Sequence, residues 1–260
     1  MRTVSVRGLE LGSGRPKICI PVTGKNHDDI LRQGQMIAQQ KGICADLCEW
    51  RIDAFEWVSD DEALKETGMA LRQLLSGMPL LVTFRSKQEG GSVFCDQDRY
   101  SMLIEDICKG GYADLLDIEL FTAGEDVKRL LHLAEECGAK TVLSSHDFVK
   151  TPPRKEIISR LERMEQLGAD ICKVAVMPHT PEDVLTLLSA TEERARVSGV
   201  PLITMAMGPL GAVSRVCGEL VGSCLTFGTL GAASAPGQLP AEKLAQTLEM
   251  LRLRRGEKCG

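Results

Sequence analysis

Short apolar runs alternate with longer amphipathic segments along the whole chain. A short apolar run is typical of a buried β-strand, and apolar residues that recur every three or four positions are typical of a helix packed on one face. The runs that predict strands lie near residues 17–22, 45–52, 79–85, 114–120, 140–145, 170–176, 200–205 and 223–227. The segments with helical periodicity lie near residues 27–41, 60–76, 97–110, 124–137, 153–167, 181–198, 209–219 and 240–254.

This alternation predicts parallel strands that are joined by crossover helices. Eight strand–helix units in 260 residues favour a closed (β/α)₈ TIM barrel over an open sheet. The first residues, about 1–14, alternate around a glycine and predict an N-terminal β-hairpin that closes the bottom of the barrel. Because no linker divides the chain, we expect one barrel domain over residues 1–260.

Composition narrows the class of protein. The net charge is −5 with acidic and basic residues interspersed, which disfavours nucleic acid and membrane surfaces and favours a small-molecule partner. No apolar stretch approaches the roughly 18 residues of a membrane span, and the N-terminal residues lack the apolar region of a signal peptide. The ten cysteines are scattered without zinc-ligand spacing, so we expect reduced thiols, a cytoplasmic protein and no metal.

Lys173 lies inside the apolar run of residues 171–177. Burial disfavours an ammonium group, and a lysine that a dry site holds neutral is a nucleophile for carbonyls. Lys173 therefore indicates Schiff-base chemistry. Taken alone, however, the run favours a strand-end lysine whose charged head reaches water.

Ionisable residues recur at the ends of five successive strand runs, which is where a barrel carries its active site. They are Glu49 and Arg51, Arg85 with Glu89 beyond it, Asp117 and Glu119, His146, and Lys173. Alternation along a strand places Glu49 with Arg51, Asp117 with Glu119, Thr83 with Arg85, and Met205 with Met207 on the inner face. Each also has a structural interpretation: ion pairs between strands, hydrogen-bond acceptors, a packed histidine or packed methionines. Their alignment at one end of the barrel favours an active site over these structural interpretations.

A lysine and a histidine on neighbouring strands suit a specific reaction. The lysine condenses with a ketone, and the histidine removes the proton next to the former carbonyl and returns a proton to a leaving group. Aldol cleavage and β-elimination of water both fit. Glu89 is the candidate for orienting the histidine, because it lies beyond a strand end and is free to reach inward.

The last segments supply an arginine, hydroxyls and an amide. Arg215, Ser234 and Gln238 suit a substrate carboxylate. A solvated loop with a surface arginine is the plainer interpretation. Because no strongly glycine-rich cradle follows the eighth strand, substrates that carry a phosphate are disfavoured.

Taken together, these stretches resemble the type I 3-dehydroquinate dehydratases, the Schiff-base enzymes of the shikimate pathway and of quinate breakdown. The matching stretches occur in order and cover most of the chain: residues 49–53, 83–85, 89–91, 117–120, 145–148, 173–178, 204–208, 214–215, 226–228 and 234–238. Any one of these stretches is weak evidence for the resemblance, but the whole set in this order is specific to the family.

The resemblance implies a hydro-lyase that eliminates water from 3-dehydroquinate in the syn sense and yields 3-dehydroshikimate. It implies that Lys173 forms the imine, that His146 moves the protons and that Glu89 positions His146. The substrate would be held by the remaining residues: Arg215, Ser234 and Gln238 at its carboxylate, Glu49, Arg51 and Arg85 at its ring hydroxyls or as walls of the pocket, and Met205 and Phe227 along the pocket. It also implies a homodimer that needs no cofactor, and the sequence contains no G-x-G-x-x-G fingerprint.

Two alternatives remain open at this point. One is another Schiff-base barrel, such as a small aldolase. The other is a degenerate barrel that senses quinate-type ligands without turning them over, although a sensor has no need for a nucleophile and a base.

Overall fold

The computed structural model describes residues 3–231 and 234–253, so residues 1–2 of the predicted hairpin and residue 254 of the predicted last helix lie outside it. Two strands form an N-terminal hairpin, and nine form the main sheet. The strands are β1 Val4–Val6, β2 Leu9–Leu11, β3 Lys17–Val22, β4 Leu47–Arg51, β5 Leu80–Thr83, β6 Leu115–Glu119, β7 Lys140–Asp147, β8 Ile171–Val176, β9 Leu202–Ala206, β10 Leu225–Thr229 and β11 Leu239–Pro240.

The main sheet is parallel throughout, in the order β11-β10-β3-β4-β5-β6-β7-β8-β9. It closes on itself between β9 and the residues that lead into β10. The amide of Cys224 donates to the carbonyl of Leu202 at 2.8 Å, and the hydroxyl of Ser223 accepts from the amide of Thr204 at 2.9 Å. The predicted (β/α)₈ barrel is therefore confirmed.

Helices surround the barrel in the predicted order. They are α1 His27–Ala38, α2 Asp61–Leu74, α3 Gln97–Gly110, α4 Val127–Glu136, α5 Arg154–Gln166, α6 Pro181–Val197, α7 Gly218–Val221 and α8 Ala241–Met250. The predicted seventh helix over residues 209–219 is wrong, since a 3₁₀ turn over Leu210–Arg215 precedes the four-residue α7. The Ser214 hydroxyl explains the tight turn, because it donates to Gly211 O at 2.6 Å and accepts from Ala206 N at 2.9 Å.

Two apolar cores flank the sheet. The outer core lies between the strands and the helices, and it contains Trp50, Phe84 and Ile118, as the alternation predicts. The inner core fills the lower half of the barrel, and the hairpin side chains Val6 and Leu11 belong to it. The hairpin thus closes the bottom of the barrel, which leaves the carboxyl ends of the strands as the open end.

Candidate active site

Lys173 lies in the middle of β8 and points into the barrel. The residue is only 3% exposed, and its Nζ lies 2.9 Å from Oδ2 of Asp117 on β6. The ring of Phe227 on β10 faces the same nitrogen, 5.0 Å from the ring centre. The sequence alone suggested a dry site that holds the amine neutral, whereas the structure gives this amine a carboxylate partner.

A second cation lies beside this pair. The guanidinium of Arg85, two residues past β5, lies 2.8 Å from Oδ1 of Asp117 and 2.7 Å from Oε1 of Glu119. Ser144 of β7 donates to Asp117 Oδ1 at 2.6 Å. Burial raises the pKa of Asp117, but the charges of Arg85 and Lys173 offset it, and the net pKa lies well below its ordinary range. Asp117 is therefore a carboxylate that is held from three sides.

His146, near the end of β7, is paired with Glu89. Oε2 of Glu89 lies 2.9 Å from the imidazole Nδ1 and accepts from the His146 amide at 3.1 Å. Burial, followed by the charges of Arg85 and Lys173, lowers the pKa of His146 well below its ordinary value. Burial and the charge of Glu119 raise the pKa of Glu89 to about 8. The resting imidazole is consequently neutral, as a general base requires.

The amide contact fixes which nitrogen carries the proton. Oε2 of Glu89 accepts from the His146 amide, so it also acts as the acceptor for Nδ1–H. A proton on Glu89 belongs on Oε1, which is buried and has no hydrogen-bond partner within the described part of the chain. This arrangement leaves Nε2 of His146 as the basic nitrogen.

Two further groups at the mouth are already paired. Arg51 forms a two-pronged ion pair with Asp53, at 2.9 Å and 3.0 Å, and the Asp53 carboxylate also accepts from the Arg85 amide at 3.1 Å. Thr83 donates to Glu49 at 2.9 Å. Sequence reasoning assigned no role to Asp53, although it follows Arg51 by two positions.

Arg215 and the final loop form the opposite wall. Nη2 of Arg215 donates to the carbonyl of Pro236 at 2.9 Å, and its Nε and Nη1 are buried without hydrogen-bond partners within residues 3–231 and 234–253. Burial lowers the pKa of Arg215 to about 10. Ser234 and Gln238 bind each other through two hydrogen bonds of 2.8 Å and 2.9 Å. The two free nitrogens of Arg215 can receive an anion.

All of these groups meet at one cavity of about 110 Å³. The cavity is lined by all eleven residues that the sequence singled out: Glu49, Arg51, Arg85, Glu89, His146, Lys173, Met205, Arg215, Phe227, Ser234 and Gln238. Phe148 and Met207 also line it. Alternation along the strand placed Met207 on the inner face, but no role was assigned to Phe148 from the sequence. Asp117 and Glu119 lie beneath the cavity and are fully buried.

Metal sites and membrane-spanning helices each have a recognisable geometry. Over residues 3–231 and 234–253, no group of three or more His, Cys, Asp or Glu side chains is arranged to hold a metal ion. Nor does that part of the chain contain a helix long and apolar enough to cross a membrane.

A buried lysine beside a neutral histidine, at the open end of a (β/α)₈ barrel, defines a Schiff-base enzyme that moves protons next to a ketone. The sequence model of the type I 3-dehydroquinase family matches residues 18–255. The chain belongs to this family and catalyses the dehydration of 3-dehydroquinate through a Schiff base.

Individual relatives agree over nearly the full length. The 3-dehydroquinate dehydratase of Clostridioides difficile (strain 630) is 44% identical over 251 residues, which are 96% of this chain and 97% of that protein. The one from Lactiplantibacillus plantarum is 46% identical over 250 residues, with coverage of 96% and 98%. Among solved structures, the 3-dehydroquinate dehydratase of Geobacillus kaustophilus has a TM-score of 0.92 at 41% identity and covers 96% of both chains. The type I enzyme of Clostridium difficile, solved with covalent modified comenic acid, has a TM-score of 0.91 at 44% identity, with coverage of 96% and 98%.

Proposed function

We propose that Lys173, His146 and Glu89 carry out the dehydration and that the other residues of the cavity hold the substrate. The observation that carries this proposal is the convergence on one cavity of a buried amine, a neutral imidazole and a guanidinium whose Nε and Nη1 have no partner among the described residues. Such a set provides a nucleophile, a base and a carboxylate binder within one small substrate's reach.

The first step is condensation at Lys173. Its amine, after loss of one proton, attacks the C3 carbonyl carbon of 3-dehydroquinate, and the carbonyl oxygen leaves as water. The product is an iminium ion at Nζ. Phe227, whose ring faces Nζ at 5.0 Å, supports this cation through its π-electrons.

The second step is elimination, carried by His146. Nε2 takes a proton from C2, and the electrons of that bond form an enamine with the iminium carbon. The C1–oxygen bond then breaks as the imidazolium protonates the hydroxyl, so water leaves and a conjugated iminium forms. One histidine serves both carbon atoms from one face, which gives a syn elimination. Hydrolysis of the iminium releases 3-dehydroshikimate and restores the lysine.

The substrate carboxylate is assigned to Arg215, with Ser234 and Gln238 beside it. A bound carboxylate accepts hydrogen bonds from Nε and Nη1 of the guanidinium. These bonds offset the cost of burying the two nitrogens without described partners. Glu49 and Arg51 face the ring hydroxyls. Arg85 is already engaged by the carboxylates of Asp117 and Glu119 and lies 3.4 Å from the carboxyl group of Glu89, so it shapes the pocket. Met205 and Phe227 line the apolar side of the ring.

Borohydride reduction tests this assignment. The protein is treated with 3-dehydroquinate and borohydride, digested and analysed by mass spectrometry. We expect one reduced adduct on the peptide that contains Lys173, and none in Lys173→Ala. The matched control is Lys17→Ala, which removes a lysine from another barrel strand and leaves the adduct in place. An adduct on any other lysine contradicts the assignment.

We also propose that the chain forms one domain, acts as a homodimer and resides in the cytoplasm. The continuous outer core, from Ile18 to Leu248, supports a single domain. Exposed Leu185 of α6 and Leu220 of α7, two helices in contact, support a subunit interface. The nine free cysteines among the described residues, most of them buried, are typical of a reducing compartment. Light scattering of the purified protein measures the oligomeric state, and a monomeric mass contradicts the dimer.

A further inference from the structure

Asp117 is fully buried, yet the reaction as described gives it no task. Its Oδ1 is held by Arg85 at 2.8 Å and by Ser144 at 2.6 Å, which leaves Oδ2 directed at Lys173 Nζ at 2.9 Å. Removing a carboxylate from water is costly unless its charge is compensated. The position of Oδ2 therefore implies a positive charge at Nζ.

The buried charges balance only when that nitrogen is positive. Arg85 and Lys173 supply two positive charges, and Asp117 and Glu119 supply two negative ones, all within direct contact. A neutral amine at position 173 leaves one uncompensated negative charge in a site that is at most 4% exposed at any of these side chains. The cluster thus favours every form of the lysine nitrogen that carries a charge.

The reaction keeps one positive charge beside Asp117 for most of its course. The ammonium and the iminium that replaces it both carry one charge at Nζ, because the proton lost before attack is recovered when the carbonyl oxygen leaves as water. Removal of the C2 proton then moves this charge to the imidazole. Burial and the charges of Arg85 and Lys173 lower the pKa of His146, and the carboxylate of Asp117 is the charge that opposes them.

We propose that Asp117 is the counter-ion of the Schiff base, a positioning residue that stabilises the positive charge as the reaction passes it between Lys173 and His146. This proposal rests on the proposed function of Lys173. It predicts that Asp117 sets the pH range over which the imine forms and persists. Without the carboxylate, no group among the described residues forms an ion pair with Nζ to compensate its positive charge, so both charged forms of the nitrogen become less stable.

Other groups face this pair from each neighbouring strand and from the packed helix, and they contribute to the same pH range. They are Cys19 of β3, Glu49 of β4, Arg85 just past β5, Glu119 of β6, Ser144 and His146 of β7, Glu89 of the 3₁₀ turn after β5, Arg51 at the mouth, and Tyr100 of α3. Within the described part of the chain, none of these groups makes a hydrogen bond or ion pair to Nζ of Lys173, whereas Asp117 does.

The experiment measures imine formation across pH with Asp117→Asn. A His146→Ala background slows elimination, and cyanoborohydride traps the iminium formed from 3-dehydroquinate. The adduct is quantified by intact mass from pH 5 to pH 10. We expect both the rise and the fall of the trapped fraction to move to lower pH by about one to three units, the usual effect of an opposite charge in contact. With His146 present, we expect turnover to fall by about 10²-fold, as when one stabilising group of a transition state is lost.

Glu119→Gln is the matched control, because it removes one negative charge from the same cluster but contacts Arg85 and the Ser86 amide. It must shift the pH range by less than Asp117→Asn, and equal shifts overturn the proposal in favour of a general charge effect. Ser144→Ala offers a second test should Asp117→Asn fail to fold. This variant removes one hydrogen-bond donor from the Asp117 carboxylate, which then interacts more strongly with the charge at Nζ. The pH range of the trapped adduct must therefore move to higher pH, and an unchanged or lowered range overturns the proposal. Absence of any adduct on Lys173 in the parent protein contradicts the proposed function itself, whereas an adduct with an unchanged pH range contradicts only the counter-ion.

Discussion

Replacing Glu89 by glutamine tests the electrostatics of the His146–Glu89 pair. Glu89 is buried, and its pKa is raised from 4.5 to about 8, chiefly by burial and then by the charge of Glu119. Between these two pH values the folded protein holds a proton that the unfolded chain has lost. Stability must therefore fall as pH rises through this window.

The size of the effect follows from the shift. A difference from 4.5 to about 8 corresponds to about 5 kcal/mol in total, and about 2 kcal/mol of it falls between pH 6.5 and pH 8.5. Glutamine keeps the shape of the side chain and carries no titrating proton. We therefore expect the wild type to lose about 2 kcal/mol of unfolding free energy between pH 6.5 and pH 8.5 that Glu89→Gln does not lose. The stability of the variant relative to the wild type should rise by that amount over this range.

Urea unfolding at several pH values, followed by circular dichroism, measures this difference. The matched control is Glu66→Gln, which makes the same chemical change at an exposed glutamate of α2 and should leave the pH dependence unaltered. The difference between wild type and variant cancels the titration of groups that do not interact with Glu89. Parallel stability curves for Glu89→Gln and wild type from pH 6.5 to pH 8.5 would refute the reasoning.

Other predictions concern His146, the carboxylate site at Arg215, the final loop and the hairpin that closes the bottom of the barrel. His146→Ala should lower kcat by about 10²–10⁴-fold while borohydride still traps an adduct, and an unchanged kcat removes His146 from the mechanism. Arg215→Lys should raise KM by about 10–100-fold in steady-state assays, because the two-pronged carboxylate contact is lost. Gly237→Ala should also raise KM, since φ is 76° and an added Cβ would lie 2.2 Å from the carbonyl of Gly208. Leu11→Ala should cost about 2–5 kcal/mol in urea unfolding with KM unchanged.

Much of the barrel and the membership of the site follow from local sequence patterns. The period-two alternation predicts that Glu49, Arg51 and Arg85 point inward, and the structure places all three at the cavity. The order of strand–helix units predicts which strand ends meet. These inferences succeed because each depends on one strand and on the rule that barrel sites occupy the carboxyl ends.

The pairing of buried charges is not available from the same patterns. Lys173 and Asp117 lie on β8 and β6, with β7 between them, so their contact depends on the curvature of the barrel and on the small Ser144 in the intervening strand. Alternation assigns a face to each residue but no partner across the barrel. For the same reason the role of Asp53 escaped prediction, because it lies past β4 in a 3₁₀ turn that directs it at Arg51.

The interior of the barrel has two layers, a lower apolar one that stabilises the fold and an upper charged one that contains the active site. Below the site, the inner side chains Leu47, Leu81, Leu115, Val142 and Ile171 form an apolar plug with the hairpin. Burial of this surface stabilises the fold by roughly 25 cal/mol per Å², and this contribution does not depend on pH because the side chains do not titrate. The layer above it carries the buried ions Arg85, Lys173, Asp117 and Glu119, whose desolvation costs several kcal/mol per ion before pairing. Such a layer persists because the plug beneath it and the outer core supply the folding energy, and because each of these four ions is paired with one of opposite charge.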